Sequence, residues 1–286
     1  MISNTYFGII KLLYILNVNG VWMRRFLILF LWSGLLLGAP LQLTSKQAEY
    51  IAQKVWQNEG AGKDKYLIWW NRGEDFASLG IGHFIWFPKG HTERFREVFP
   101  MVLAYMQKKG VALPRGITPQ SDFPWQTKEA FFWAKKQKSL YYMRLFRFLK
   151  ETMSYQAMFM AERMMQALPQ MLAAIDDPAK AKRIERRFNH ILYKQDGSVD
   201  ERGLYILIDY TNFKGEGTLK SERYHGQGWG LLQVLEHLDE GAPDKYKAFA
   251  DSAKAMLSRR IKNSPPARGE ERWRRGWNVR LDTYWR

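Results

Sequence analysis

The stretch TSKQAEYIAQKVWQNEG, residues 44–60, places apolar side chains at Ala48, Ile51, Ala52, Val55 and Trp56. That spacing belongs to one face of a helix. Thr44 or Ser45 supplies the cap that starts it, and Gly60 and Gly62 stop it. The next segment, residues 66–87, is aromatic and punctuated by glycine, with NRGED as a turn, and reads as a short β-hairpin or small sheet. A capped helix leading directly into a small sheet sets the fold class: mainly α with a small β-hairpin, α+β.

The remaining chain carries helical periodicity nearly throughout. Helices are expected over residues 93–109, over 128–151 behind the Thr127 cap, and through YQAMFMAERMMQAL to Pro169. The methionines of that last stretch read as core packing. Asp177-Pro178 is a helix start for AKAKRIERRFNHIL. QDGS then turns the chain into the helical DERGLYILIDYTNF, and helices resume over 229–238, 244–261 and 277–284. LPRGITPQSDFPW and GEGTLKSERYHGQG read as loops.

Residues 1–40 stand apart. Met23-Arg24-Arg25 precedes an apolar run from Phe26 to Ala39, the charge-then-hydrophobic order of a secretory signal. Translation is expected to start at Met23, and the signal to be cleaved near Gly38 or Ala39, with an uncleaved membrane anchor through residues 23–39 as the alternative. The protein is therefore expected in the periplasm or outside the cell. Without these 40 residues the net charge falls from +16 to +13, since they hold three basic residues and no acid. A basic chain favours an anionic partner. The leader argues against nucleic acid, and the Lys and Arg residues are scattered over many helices rather than gathered in a stripe. The absence of cysteine excludes disulfides and thiol catalysis.

Glu59 lies at about 80° on a wheel turning about 100° per residue from Ile51, inside the apolar stripe of the first helix. A carboxyl there pairs with a cation, stays protonated, or costs several kcal/mol. Desolvation raises its pKa, as protonation of a glycosidic oxygen requires. Fraying into water, or pairing with a nearby Lys or Arg, is the structural alternative.

NEG…Y…SLGIGHFI, from Asn58 to Ile85, resembles phage-type lysozymes and the wider lysozyme-like superfamily. The resemblance implies a lysozyme-like domain over residues 41–286, with a helical insertion at about 95–194 that sets substrate preference or docks a partner. It implies Glu59 as general acid and Ser78 as the hydroxyl that helps hold the attacking water. His83 would buttress the hairpin. Glu74 and Asp75 are the candidates for the water-activating base, although their spacing to Glu59 and Ser78 differs from the family's. A lytic transglycosylase needs the acid but no hydrolytic water. Gly80 and Gly82 let backbone approach substrate or the Glu59 helix.

LIDYTNFKGEGT, holding Asn212 and Glu216, resembles the helix and turn that complete the lysozyme-like cleft. LSRRIKNSPPARGEERW resembles the Arg-Arg…Glu helix that closes the domain. In RYHGQGWGLLQVL, Gln227 and Trp229 are candidates for lining the sugar groove, beside a helix-cap role. A phosphate loop would need a preceding strand, where a helix is expected. The expected substrate contacts are thus His83, Asn212, Glu216, Gln227 and Trp229. His91, His190, His225 and His237 show no metal-ligand spacing, so no metal or cofactor is expected. No Gly-x-Ser-x-Gly elbow occurs. The chain is expected to cleave the β-1,4 glycan strands of peptidoglycan, with an inactive peptidoglycan-binding or envelope-scaffold protein as the alternative.

Overall fold

The structure, a computed structural model, describes residues 43–91 and 96–286. The leader, the start at Met23 and anchoring through residues 23–39 lie outside the described residues. Among those described, no helix is long and apolar enough to cross a membrane. Leu41–Arg286 form one compact unit. It is 60% helical, with ten α-helices and small antiparallel sheets among the described residues.

Helix α1 (Ser45–Gly60) starts with a capping box: Thr44 Oγ1 accepts from Gln47 N while Gln47 Oε1 accepts from Thr44 N. It stops where Ala61 turns left-handed. Strands β1 (Ile68–Trp69), β2 (Ala77–Leu79) and β3 (Phe84–Trp86) follow in antiparallel order, with Ser78 opposite both Trp69 and Ile85. Leu79 and Phe84 on the other face are buried in the core.

Helix α2 (Phe99–Lys108) begins later than expected. Residues 92–95 lie outside the described residues, and Glu97 is used as an acceptor for Phe87 N (2.7 Å) rather than as a helical residue. Pro100 then sits in the first turn, where its missing N–H costs nothing.

The expected helix over 128–151 is two helices, α3 (Lys128–Lys136) and α4 (Leu140–Glu151). Lys138 takes a positive φ of 49° and Ser139 N bonds back to Ala134 O, a Schellman-type stop made without glycine. Ser139 then caps α4.

Helix α5 (Met153–Ala173) runs past Pro169, with Ala167 and Met171 buried on either side of the proline. It supplies the helix on which α1 chiefly packs, so the segment expected as an insertion holds a central part of the core. Met160, Met164 and Met171 are buried there. Helices α6 (Pro178–Leu192) and α7 (Glu201–Lys214) follow, each capped by an aspartate, Asp177 and Asp200.

After α7, the short hairpin of β4 (Arg223–Tyr224) and β5 (Gln227–Gly228) replaces the expected loop. Helices α8 (Leu231–His237), α9 (Lys245–Asn263) and α10 (Arg274–Asp282) complete the unit.

Candidate active site

Three distant parts of the chain converge on Glu59, in the last turn of α1. Arg280 of α10 donates Nη2 to Glu59 Oε1 at 2.7 Å. Asn212 of α7 reaches the same oxygen at 3.4 Å and bonds Gly82 O at 3.1 Å. His83 places Nδ1 3.7 Å from Glu59 Oε2. The Glu59 side chain is 16% exposed.

The expectation that burial leaves Glu59 protonated is overturned. Burial does push its pKa up, but the Arg280 charge, His83, and the Arg280 and Asn212 hydrogen bonds outweigh it and hold the carboxyl below its ordinary range. Of the outcomes open to an acid in an apolar stripe, the chain takes pairing with an arginine.

Arg280 is itself over-provided with acid. Its Nε and Nη2 bond Asp209 Oδ2 and Oδ1 at 2.9 and 2.8 Å. Asp209 is fully buried and also accepts from Tyr284 Oη (2.5 Å) and Asn58 Nδ2 (3.2 Å). Asn58 donates in turn to Tyr205 Oη at 2.6 Å. The donors come from α1 (Asn58), from α10 (Arg280) and from the turn just after it (Tyr284), and the acceptor capacity of Asp209 is nearly filled.

The glycines of the hairpin lie close to side chains of α5, α7 and β3, and Gly82 also lines the cleft described below. A Cβ on Gly80, whose φ is +70°, would fall 2.2 Å from Gln156 Oε1 of α5, the atom that accepts from Ile81 N. A Cβ on Gly82 would fall 2.6 Å from the Phe84 ring and 3.3 Å from Asn212 Oδ1. His83 itself takes a left-handed φ of 47°, which turns its ring toward Glu59.

A cleft of about 370 Å³ opens beside this cluster. His83, Asn212, Glu216 and Trp229 line it, so four of the expected substrate contacts are brought together. Glu216 is paired with Arg163 at 3.3 Å. Glu222, also in the wall, accepts from Gly217 N, and burial followed by the Glu216 charge raises its carboxyl above the usual range. Lys214 sits with Nζ 3.7 Å from the Trp277 ring centre and 3.8 Å from that of Phe213. The two rings favour its charge. Burial and the nearby Arg260 and Arg280 oppose it, and the balance lies well below a lysine's ordinary pKa.

Gln227 is not part of this cleft. It is exposed, accepts from Asn263 Nδ2 at 2.9 Å and lines a separate pocket. Trp229 is 6% exposed, with the Arg260 guanidinium 4.3 Å from its ring centre and Tyr224 packed at 4.8 Å, so little of its ring is free for a sugar to stack on. Glu74 and Asp75 are also outside the cleft lining. Glu74 Oε2 accepts from Asn71 Nδ2 at 2.8 Å within the β1–β2 turn, and Asp75 is exposed. Ser78 is buried in mid-strand, but its cross-strand neighbour Ile85 lines the cleft.

Sequence reasoning did not single out Arg280, Asp209, Lys214 or Glu222. Asp209 carried a signal, an acid inside the apolar run LYILIDY. Arg280 carried none, being one of several arginines in a basic segment. Arg259 and Arg260 lie on α9 while Glu270 lies in a separate 3-10 turn (Glu270–Trp273), and there Arg260 grips Glu270 through Nε and Nη2 at 2.7 and 3.0 Å, joined by Arg268 and Tyr224. Among the described residues no group of three His, Cys, Asp or Glu is placed to hold a metal ion. No family model, no curated protein and no solved structure matches this chain.

Proposed function

We propose that this chain is an exported enzyme that cleaves the β-1,4 glycan strands of peptidoglycan by acid catalysis, as a lysozyme-type hydrolase or a lytic transglycosylase. The observation that carries the reading is a carboxylate that does not itself line the cleft but contacts two residues that do, Asn212 and His83, and whose cationic partner is independently neutralised. When Glu59 takes up a proton it gives up one bond from Arg280, and Arg280 keeps its two bonds to Asp209. The protonated form is thus reached without stranding a buried cation, which would cost several kcal/mol.

Proton donation to a glycosidic oxygen then regenerates the anion beside Arg280, Asn212 and His83. Groups that stabilise charge as it develops lower the barrier. The depressed pKa makes Glu59 a strong acid at the expense of the fraction protonated at neutral pH. The leader supports export, and a net charge of +13 beyond residue 40 suits a wall polymer bearing carboxylates.

A peptidoglycan-binding or scaffold protein with an inactive site is the second reading. It is favoured by the ionised resting state of Glu59 and by hairpin acids that stand outside the cleft. Incubation with purified sacculi followed by mass spectrometry of released muropeptides separates the readings. Reducing ends identify a hydrolase and anhydro ends a transglycosylase. Protein that pellets with sacculi and releases nothing is a binder. If hydrolysis is found, Glu74→Gln and Asp75→Asn test the hairpin base: one should abolish reducing-end products and the other spare them. Tolerance of both removes the hairpin from the chemistry.

A further inference from the structure

A second pocket of about 430 Å³ shares no lining residue with the cleft. Its lining includes Arg223 of β4, Arg259 of α9, and the α5–α6 connection with Asp176 and Asp177. We infer that this pocket binds the zwitterionic end of an amino acid, with its carboxylate on Arg223 and Arg259 and its ammonium on Asp176.

What sets these two arginines apart is a buried Nε–H without an acceptor, which the ion-paired arginines do not have. Arg163, Arg186, Arg187, Arg260, Arg268 and Arg280 all have a carboxylate oxygen within 3.3 Å. Arg223 and Arg259 have no ion-pair partner among the described residues. Each is tethered by one Nη2 to a backbone carbonyl, Arg259 to Gly228 O at 2.8 Å and Arg223 to Gly217 O at 3.5 Å. Their Nε–H groups are buried without any acceptor. A guanidinium has five donors in a planar fork, and a carboxylate is the ligand that matches it two bonds at a time. A small rotation of either stem would turn the orphaned Nε–H onto such a ligand and relieve the cost of leaving it unbonded.

The acids in the same lining decide against a plain anion. Asp176, Asp177 and Glu236 balance Arg223, Arg259 and Lys180, so a phosphate or a diacid would meet as much repulsion as attraction. Two of those acids are already engaged. Asp177 Oδ1 caps α6 through Ala179 N and Lys180 N, and Glu236 pairs with Lys180 at 2.7 Å. Asp176 is exposed and has no hydrogen-bond or ion-pair partner among the described residues. A ligand with both charges on one carbon pairs with both signs of charge in the lining. On the reading of peptidoglycan as substrate, the diamino acid of a peptide stem presents that group, and this pocket would hold a stem while the cleft holds the glycan.

The test is calorimetric titration of the full chain with meso-2,6-diaminopimelic acid, with pimelic acid and 1,5-diaminopentane as probes of one charge sign. Diaminopimelate should bind, and the two single-sign probes should bind at least about tenfold more weakly, the worth of one charge-assisted hydrogen bond. Arg223→Gln combined with Arg259→Gln should weaken diaminopimelate by about tenfold or more, and Asp176→Asn, at an exposed position, by several-fold. Absence of binding, equal binding of pimelate, or unchanged affinity in a correctly folded Asp176→Asn protein overturns the site. Sacculus digestion is measured separately. Digestion without diaminopimelate binding removes the pocket and leaves the glycan reading. Binding without digestion supports the pocket and removes that reading.

Discussion

Two carboxylates in this molecule are gripped by arginine, and they are gripped differently. Glu270 has no exposed side-chain surface and is saturated: Oε1 meets Arg260, Arg268 and Tyr224, and Oε2 meets Arg260. Glu59 keeps some exposure, shares its arginine with Asp209, and leaves Oε2 with only His83 at 3.7 Å. Burial raises both pKa values, but the arginine contacts outweigh it and leave both lowered. The direction of a shift therefore does not separate a structural acid from a chemical one. What does differ is spare acceptor capacity: Glu59 Oε2 is met only by His83, a residue that lines the cleft.

The largest effect should be on rate. Glu59→Gln keeps the shape of the side chain but removes the transferable proton, and loss of a general acid typically costs about 10²–10⁴-fold. Muropeptide release should fall by that factor while circular dichroism remains near wild type and melting falls by less than in Glu270→Gln. Full activity in a folded Glu59→Gln protein would falsify the role of this residue.

Glu270→Gln should instead act on stability. It leaves Arg260 and Arg268 in a buried site without their counter-ion, a change that costs about 3–5 kcal/mol, read from denaturant unfolding. Equal destabilisation by Glu59→Gln would collapse the distinction between the two sites.

Acid should reveal the same contrast more weakly. Both folded-state pKa values lie below the ordinary 4.5, so each ion cluster contributes stability that is present above that pH and is lost as the pH falls through the depressed value. Melting temperature should drop on acidification below 4.5, and Glu270→Gln should flatten the drop.

The smallest effect belongs to Ser78→Ala. The Ser78 hydroxyl has no hydrogen-bond partner among the described residues, so stability should change by no more than about 1 kcal/mol. Reducing-end products should fall a few-fold if the hydroxyl positions a water. An unchanged product spectrum confines Ser78 to the sheet.

How far this site could be read from sequence depended on whether its parts were local. The α1 cap, the apolar stripe and the place of Glu59 within it all lie in 17 consecutive residues, 44–60. The helix break at Lys138 was hidden because lysine rarely supplies a left-handed stop. The burial of Asp209 was half-visible: Gly203–Thr211 are all buried, and a helix buried all round loses the one-sided pattern that marks a polar intruder. Gln227 and Trp229 are two positions apart yet line different pockets, a separation that follows from the β4–β5 turn and Arg260 rather than from spacing.

Arg280 meets Glu59 across 221 positions of chain. A contact that spans such a distance forms late, because the loop it closes is long and nothing local favours it. Until α10 docks, Glu59 has neither its counter-charge nor the partner that sharpens its acidity. If the proposed activity and export hold, a molecule built this way would spare its polymer while it is being made and threaded across a membrane, and would be armed only when folding is nearly finished.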